Sequence, residues 1–267
     1  MSGLRYVKGH GTENDFVVLP DLEGLLKLTD DVVRRICDRR AGIGADGILR
    51  VVPASMTDDG AAYADQAEWF MDYRNADGSV AEMCGNGVRV YARYLVETGL
   101  ARPGHLRLAT RDGIKEVDVE HDGPVTVDMG AAVVGERVDI DGEPAMLVDM
   151  GNPHAVVHVP SVDALGVLAP ARTDLNVEYV EDVGDEHIRM RVHERGVGET
   201  RSCGTGACAA VVATVLRTAA ARGTAYAVDV PGGRLAVTWR EDGHVLLSGP
   251  AVLVASGELR SDWLETV

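Results

Sequence analysis

Met83-Cys84-Gly85-Asn86-Gly87-Val88 and Ser202-Cys203-Gly204-Thr205-Gly206-Ala207 repeat one phrase, a cysteine followed by Gly-x-Gly at the head of a helix-forming run. The cysteines stand 119 positions apart (203 − 84), almost half of the 267-residue chain. Glycines there let backbone N–H groups approach a ligand, and a helix N-terminus favours negative charge. The same positive end lowers the pKa of a thiol seated on it. A favourable, partly buried terminus contributes up to about 2 kcal/mol, roughly 1.5 pKa units, which would bring one thiol from about 8.5 to about 7. Two such units, one per half, predict two thiols facing a small anionic substrate. Such a pair can remove a proton from one face of a carbon and deliver another to the opposite face.

Outward from these phrases, the run after Cys84 sets Val88, Tyr91, Ala92 and Leu95 at i, i+3, i+4 and i+7, an amphipathic stripe closed by Gly99. The run Ala207–Leu216 is apolar on nearly every side and predicts a buried helix. A further helix is predicted from its cap Thr29 through Arg39, with Asp30 and Asp31 in the opening turn. β-Rich runs dominate elsewhere. In the first half they are Arg5–Lys8, Phe16–Leu19, Ile48–Val52, Glu68–Tyr73, Ile114–Val119 and Val125–Met129. In the second they are Ala145–Met150, Ala155–Val159, Ile188–His193, Ala227–Val230, Leu235–Trp239 and Val245–Leu247, with a hairpin turn at Pro231-Gly232-Gly233-Arg234. Asn75–Ser79 precedes Cys84 as Gly196–Thr200 precedes Cys203, so each half reads strand, Gly-rich loop, cysteine, helix and further strands. This order predicts two similarly folded halves meeting near Val125–Gly130, with a ligand site in the cleft between them.

Composition narrows the function classes. A hydrophobic fraction of 46% and a charged fraction of 25% belong to a soluble globular chain able to bury a core. The formal net charge of −16 argues against nucleic acid or an anionic membrane as a partner. The apolar stretch Ala207–Leu216 is too short to span a bilayer. The opening residues Met1-Ser2-Gly3-Leu4-Arg5 show no apolar signal core, so a reducing, cytoplasmic location is expected for the cysteines. Cys37 and Cys208 read as packing residues inside helices. No Cys-x-x-Cys or His-x-x-x-His spacing occurs, so no metal site is predicted. The lysines are Lys8, Lys27 and Lys115, and none has the phosphate-binding context of a Schiff-base lysine.

Four polar loops remain: His10–Phe16, the turn starting at Asn75, Gly151-Asn152-Pro153-His154, and Glu194-Arg195-Gly196. A loop asparagine commonly bonds its own backbone, and an exposed Glu-Arg pair contributes little. Gathered in one cleft, amides with a carboxylate and a guanidinium instead bind carboxylate and ammonium groups together. An amino acid presents both.

With these motifs in this order, the chain resembles the diaminopimelate epimerase family. The resemblance runs through His10–Phe16 (HGTENDF), Gly42–Gly47 (GIGADG), Asn75–Ser79 (NADGS), Cys84–Arg89 (CGNGVR), Gly151–His154 (GNPH), Glu194–Thr200 (ERGVGET) and Cys203–Ala209 (CGTGACA). It implies an α+β fold of two pseudo-symmetric β-barrel-like domains, each wrapped on a central helix. One domain would be 1–128 with Cys84, completed by 250–267, and the other 129–249 with Cys203. It further implies pyridoxal-independent epimerisation of LL-2,6-diaminopimelate to the meso form, without a cofactor, in lysine and peptidoglycan precursor biosynthesis. Carried over by motif, Cys84 and Cys203 are the acid/base thiols, and His154 and Glu194 support the reacting centre and its amine. Asn14, Asn75, Asn152 and Asn176 would hold the far end of the substrate, with Arg195 on its carboxylate. Gly85, Asn86, Gly204 and Thr205 would supply donors to the reacting carboxylate. Family members often have glycine where Glu13 stands, and many make a glutamine contact where this chain has Gly47. The implied partner is a small molecule, diaminopimelate, with neither nucleic acid nor membrane; a homodimer is compatible with it.

Competing classes explain fewer residues. Proline racemase-like relatives share the Cys-Gly pieces, but their substrates lack the second charged end that Asn75, Asn152, Asn176 and Arg195 imply. A cysteine hydrolase built on Cys203 with His154 or His193 leaves Cys84 without a role. A thiol redox protein would want Cys-x-x-Cys spacing.

Overall fold

Runs of Val, Ile and Leu become strands here because branched side chains pack well on a pleated surface. The structure, a computed structural model, describes residues 3–264. The outermost residues of the expected first domain, 1–2 and 265–267, lie outside the described residues. The chain begins with β1 (Leu4–Gly11), β2 (Asn14–Pro20), α1 (Asp30–Cys37), β3 (Gly47–Pro53), α2 (Asp58–Ala61), β4 (Trp69–Asn75), α3 (Gly85–Glu97), β5 (Gly104–Thr110) and β6 (Gly113–Val119). It continues with β7 (Val125–Ala131), β8 (Val133–Ile140), β9 (Glu143–Asp149), β10 (Pro153–His158), β11 (Asn176–Gly184), β12 (His187–Glu194) and β13 (Gly198–Thr200). Last come α4 (Gly204–Thr218), β14 (Ala225–Val230), β15 (Gly233–Trp239), β16 (His244–Gly249), β17 (Val252–Leu259) and α5 (Ser261–Leu264). Two compact units divide this chain: Met1–Gly11, Asp15–Val125 and Ala251–Val267 form one, and Thr12–Asn14 with Thr126–Pro250 the other.

In the first unit the strand neighbours run β17, β1, β2, β3, β4, β5, β6. The pairs β2–β3 and β4–β5 are parallel, while β1–β17, β3–β4 and β5–β6 are antiparallel. Helix α3 touches β1, β17, β6, β3 and β4, so the sheet curls around it. The apolar stripe seen in the sequence is only part of what is covered: α3 is buried from Gly85 through Val96, Arg89 and Arg93 included. Arg93 tolerates this because its guanidinium donates to the carbonyls of Glu120, His121 and Gly123, each at 2.7 Å. Helix α1 has the expected cap, with Thr29 accepting from Val32 N–H, but ends at Cys37 rather than Arg39. Asp38 accepts from the N–H groups of Arg40 and Ala41 at 2.7 and 2.6 Å, a local turn that replaces another helical turn.

In the second unit the neighbours run β8, β9, β10, β11, β12, β14, β15, β16, and β7 joins β16. Here β10–β11 and β12–β14 are the parallel pairs, and β8–β9, β9–β10, β11–β12 and β14–β15 are antiparallel. Helix α4 touches β15, β10, β11, β9, β12 and β16. It is buried from Gly206 to Val215, as an all-apolar helix must be. The hairpin at Pro231-Gly232 closes β14 on β15, with Val230 paired to Gly233. The two units therefore follow one plan. Parallel pairs fall at matching places, and the buried helix follows β4 in one unit and β12–β13 in the other. This is the α+β fold of two β-barrel-like domains, each on a central helix. Among the described residues no helix is long and apolar enough to cross a membrane.

Leu95 faces the first unit's core from α3 with no exposure. Leu95→Ala is expected to cost about 3 kcal/mol, read as a lower urea midpoint at unchanged slope.

Candidate active site

Each cysteine phrase forms the same local object. Cys84 is the N-cap of α3 in extended conformation, and its Sγ accepts from Gly87 N–H at 3.5 Å. Cys203 is the N-cap of α4, also extended, and its Sγ accepts from Gly206 N–H at 3.4 Å. The sulfur thus occupies the place usually taken by a Ser, Thr or Asp oxygen. The N–H groups of Gly85, Asn86, Gly204 and Thr205 belong to the first helical turns and have no intrahelical partner. They stand at the positive ends of their helices, suited to a carboxylate. All four cysteines are free thiols, with Cys37 and Cys208 buried.

In the first unit β4 delivers the chain to a tight turn before Cys84. Asn75 N–H donates to Ser79 O at 2.9 Å, and Asn75 Nδ2 donates to Ser79 Oγ at 3.0 Å. Asn75 is therefore a turn residue, whatever else it contacts. Asn86 is buried in the opening turn of α3. Next to the β1–β2 tip, Asp15 pairs with Lys8 and Arg39. Burial opposes its charge, yet the Arg39 and Lys8 hydrogen bonds hold its carboxyl well below the usual carboxylate range.

The second unit brings most of the expected residues into one hydrogen-bonded group. The parallel register sets His154 of β10 beside Asn176 of β11. Asn176 donates from Nδ2 to Pro153 O at 3.1 Å and accepts from Arg195 N–H at 2.9 Å, which ties the Asn152 turn to the Arg195 turn. One amide hydrogen is left over for a ligand. His154 Nε2 lies 3.0 Å from Asn152 Oδ1, and its Nδ1 lies 2.6 Å from Glu178 Oε1. The side chains of His154 and Glu178 have no exposure at all. Glu194 ends β12, half-buried, and accepts from Thr200 Oγ1. Arg195, one residue further, is exposed. Asn14 opens β2, half-buried, beside a tip at Thr12 and Glu13 where φ is +50° and +61°. Thr12 Oγ1 and Ser202 Oγ are 2.6 Å apart and buried, so this tip rests on the residue preceding Cys203. Asn75, Cys84, Gly85 and Asn86 lie in the first unit, and the remaining expected residues lie in the second.

The electrostatics of Cys203 differ from what the helix terminus alone suggests. Burial, then the charges of Glu194 and Glu178, push the thiol well above its ordinary value. The bonds from Thr205 and Gly206 act the other way but do not prevail. Burial likewise pushes the Glu194 carboxyl up, against the hydrogen bonds of Thr200 and Cys203. These effects favour the protonated thiol at Cys203 over the thiolate. Sequence reasoning passed over Glu178, Thr12, Thr200 and Ser202. For Glu178 the usable signal was its place two residues after Asn176, which puts it on the same strand face.

The model of the diaminopimelate epimerase family matches residues 6–135 and 146–254. The diaminopimelate epimerase of Streptomyces coelicolor is 53% identical over 283 aligned positions, spanning 99% of this chain and 98% of its own. That of Thermobifida fusca is 48% identical, spanning 96% of this chain and 98% of its own. Among solved structures, a PhzF-family phenazine biosynthesis protein from Bacillus anthracis has a TM-score of 0.76 over 97% of this chain and 100% of its own. At 16% identity this is a likeness of fold.

If carboxylates hold the proton on Cys203, then Glu194→Gln should lower the pH at which Cys203 alkylation by iodoacetamide reaches half its maximal rate. The sign follows from thiolate being the reactive form. Peptide mass spectrometry of Cys203 across a pH series measures it, and an unmoved midpoint would contradict the account.

Proposed function

The chain belongs to the diaminopimelate epimerase family, and from that premise we propose that it interconverts LL- and meso-2,6-diaminopimelate by a two-thiol mechanism. The observation that carries the reading is the matched pair of cysteine N-caps, Cys84 and Cys203, each at the start of a buried helix. A helix terminus can accept the negative charge that moves onto a carboxylate when the neighbouring α-proton leaves. One well-placed donor in such a site contributes about 3–4 kcal/mol.

With the proton on Cys203, Cys84 serves as the base in that form. Its thiolate takes the α-proton, and the electron pair left on carbon delocalises into the carboxylate. Cys203 S–H then gives its proton to the opposite face, which inverts the centre and leaves Cys84 as thiol and Cys203 as thiolate. The reverse direction exchanges the roles. First-turn donors at Gly85, Asn86, Gly204 and Thr205 stabilise the developing charge. Glu194 holds the amine, and His154, buried between Glu178 and Asn152, supports the reacting centre from behind. Asn14, Asn75, Asn152 and Asn176 with Arg195 hold the second amino-acid end. Residues 1–128 with 250–267, and 129–249, each act as a domain supplying one thiol. Metal and pyridoxal have no part in this scheme, and a homodimer is compatible with it. A cytoplasmic enzyme of lysine and peptidoglycan precursor synthesis fits the acidic chain, whose charge of −16 disfavours nucleic acid and anionic membranes.

Proton NMR of LL-diaminopimelate in deuterium oxide tests the scheme: wild type should place deuterium at an α-carbon while forming the meso isomer. Cys84→Ser and Cys203→Ser should each lower kcat by about 100-fold or more, the ordinary contribution of a general acid or base. Full turnover in either variant would remove the two-thiol mechanism.

A further inference from the structure

We propose that Asp46 is a positioning residue: from the entry of β3 it brackets the chain beside Asn14 and the chain beside Asn75, and so sets how both amides meet the substrate. This rests on the reading above that Asn14 and Asn75 hold the second amino-acid end of diaminopimelate.

The stretch Gly42-Ile43-Gly44-Ala45-Asp46-Gly47 has one polar side chain, that of Asp46, and the sheet gives it a particular place. Strand β3 lies between β2 and β4: Gly47 pairs with Phe16 in parallel register and with Asn75 in antiparallel register. Asn14 opens β2, and Asn75 closes β4. Asp46, one residue before β3, carries both ladders a step further. Its N–H donates to Asp15 O at 2.9 Å, and its carbonyl accepts from Ala76 N–H at 3.0 Å. These partners are the residues that follow Asn14 and Asn75. At Gly47 a Cβ would stand 2.5 Å from Arg74 O, so the strand's first position takes no side chain and the nearest is that of Asp46.

The carboxylate doubles this hold. Asp46 Oδ2 accepts from Asp15 N–H at 3.1 Å, and its Oδ1 accepts from Arg39 Nη2 at 2.6 Å. The same guanidinium donates to Asp15 from Nη1 and Nη2, at 3.0 and 2.8 Å, and Lys8 Nζ donates to Asp15 at 2.5 Å. A planar fork can span two carboxylates in this way, whereas an ammonium acts as a point charge. Arg39 is placed by the end of α1. The N–H groups of Ile43 and Gly44 donate to Ile36 O, and that of Ala45 donates to Cys37 O, which satisfies the last carbonyls of the helix. Gly44, at φ +78°, lets the loop pass over Arg39, for a Cβ there would stand 2.9 Å from Arg39 Cα. The same helix steadies the Asn75 turn, where Arg34 donates to Asp77 O at 2.7 Å. Arg39 and Asp46 are exposed, so their pairing adds little to global stability. Its effect is on where two asparagine-bearing segments stand, which substrate binding reads directly.

Amide hydrogen exchange followed by NMR, without substrate, tests the bracket. In Asp46→Ala the Asp15 N–H should exchange roughly tenfold faster than in wild type, while amides deeper in β3 keep their rates. Arg39→Lys, which leaves Asp46 in place, should speed the same exchange and gives a second reading should Asp46→Ala not fold. For LL-diaminopimelate, Asp46→Ala should raise KM roughly fivefold, equal to about 1 kcal/mol, with kcat changed by less than about twofold. Asp46→Asn, which keeps one acceptor oxygen and loses the ion pair, should recover part of that increase. Combined with Asn14→Ala, Asp46→Ala should raise KM by less than the product of the separate increases, because the two act in series. Unchanged exchange at Asp15 in these variants overturns the proposal. Unchanged KM in a folded Asp46→Ala protein, full recovery by Asp46→Asn, or effects that multiply in full also overturn it. If wild type fails to epimerise the substrate, the proposed activity falls, while the exchange at Asp15 still reports on Asp46.

Discussion

A sulfur that caps a helix is held by the N–H three residues onward, and this bond fixes where a thiol can stand. At Cys84 and Cys203 the distances to that N–H are 3.5 and 3.4 Å, so both sulfurs are placed by their helices. The third residue after the thiol is glycine in each case, for a local steric reason. A Cβ on Gly87 would meet Leu49 at 3.2 Å and Phe16 at 3.5 Å, and one on Gly206 would meet Glu178 at 2.6 Å. The helix start is pressed against the strands that wrap it. Burying α3 and α4 inside their sheets is what gives their N-termini a low-dielectric setting, where backbone donors count for more than in water.

That setting acts in both directions on a thiol. A helix terminus favours thiolate by at most about 2 kcal/mol. Desolvation of a wholly buried group can shift a pKa by about 3–5 units the other way. At Cys203 the second effect wins, and Glu194 and Glu178 add to it. Seen from the sequence, the Gly-x-Gly signature speaks only of the terminus, because the carboxylates come from strands distant in the chain. The outcome suits a proton donor, and the two matching phrases differ in burial: Cys203 is buried and Cys84 half-buried.

The sequence made the three longer helices legible, but not the four-residue α2 and α5, and only part of the sheet. Thr29, the Cys84 run and the Cys203 run carry caps and apolar periodicity, both local signals. The strands β5, β8, β11, β13 and β17 escaped: β8 and β17 are mostly exposed and lack a clear apolar alternation, and β13 is three residues within a Gly-rich loop. β11 was missed because charged and apolar residues mix in Asn176–Gly184, and its inward face includes Glu178. Local patterning treats a glutamate as a surface residue. Only the pairing with His154 explains why this one is inside. In the same way the apolar stripe accounted for only one face of α3, because the carbonyls that satisfy Arg93 lie at Glu120, His121 and Gly123, beyond the reach of helical periodicity.

Glu13 shows how this chain handles a departure from its family. It stands where relatives often have glycine, and its φ of +61° is the conformation glycine accepts most easily. A side chain there costs roughly 1–2 kcal/mol. Arg201 pairs with Glu13 and also donates to Pro231 O at 3.0 Å. An exposed pair of this kind returns at most about 1 kcal/mol, so it offsets the strain only in part. Thr12 adds a second tie: its hydroxyl meets Ser202 in a buried contact, and its carbonyl fits against Gly232, where a Cβ would stand 1.9 Å away. Ser202 adjoins Cys203, so the seat that holds the tip beside Asn14 is continuous with the cap of α4. A strained tip is kept because both its ends, Thr12 and Glu13, are tied to the two residues that lead into the thiol.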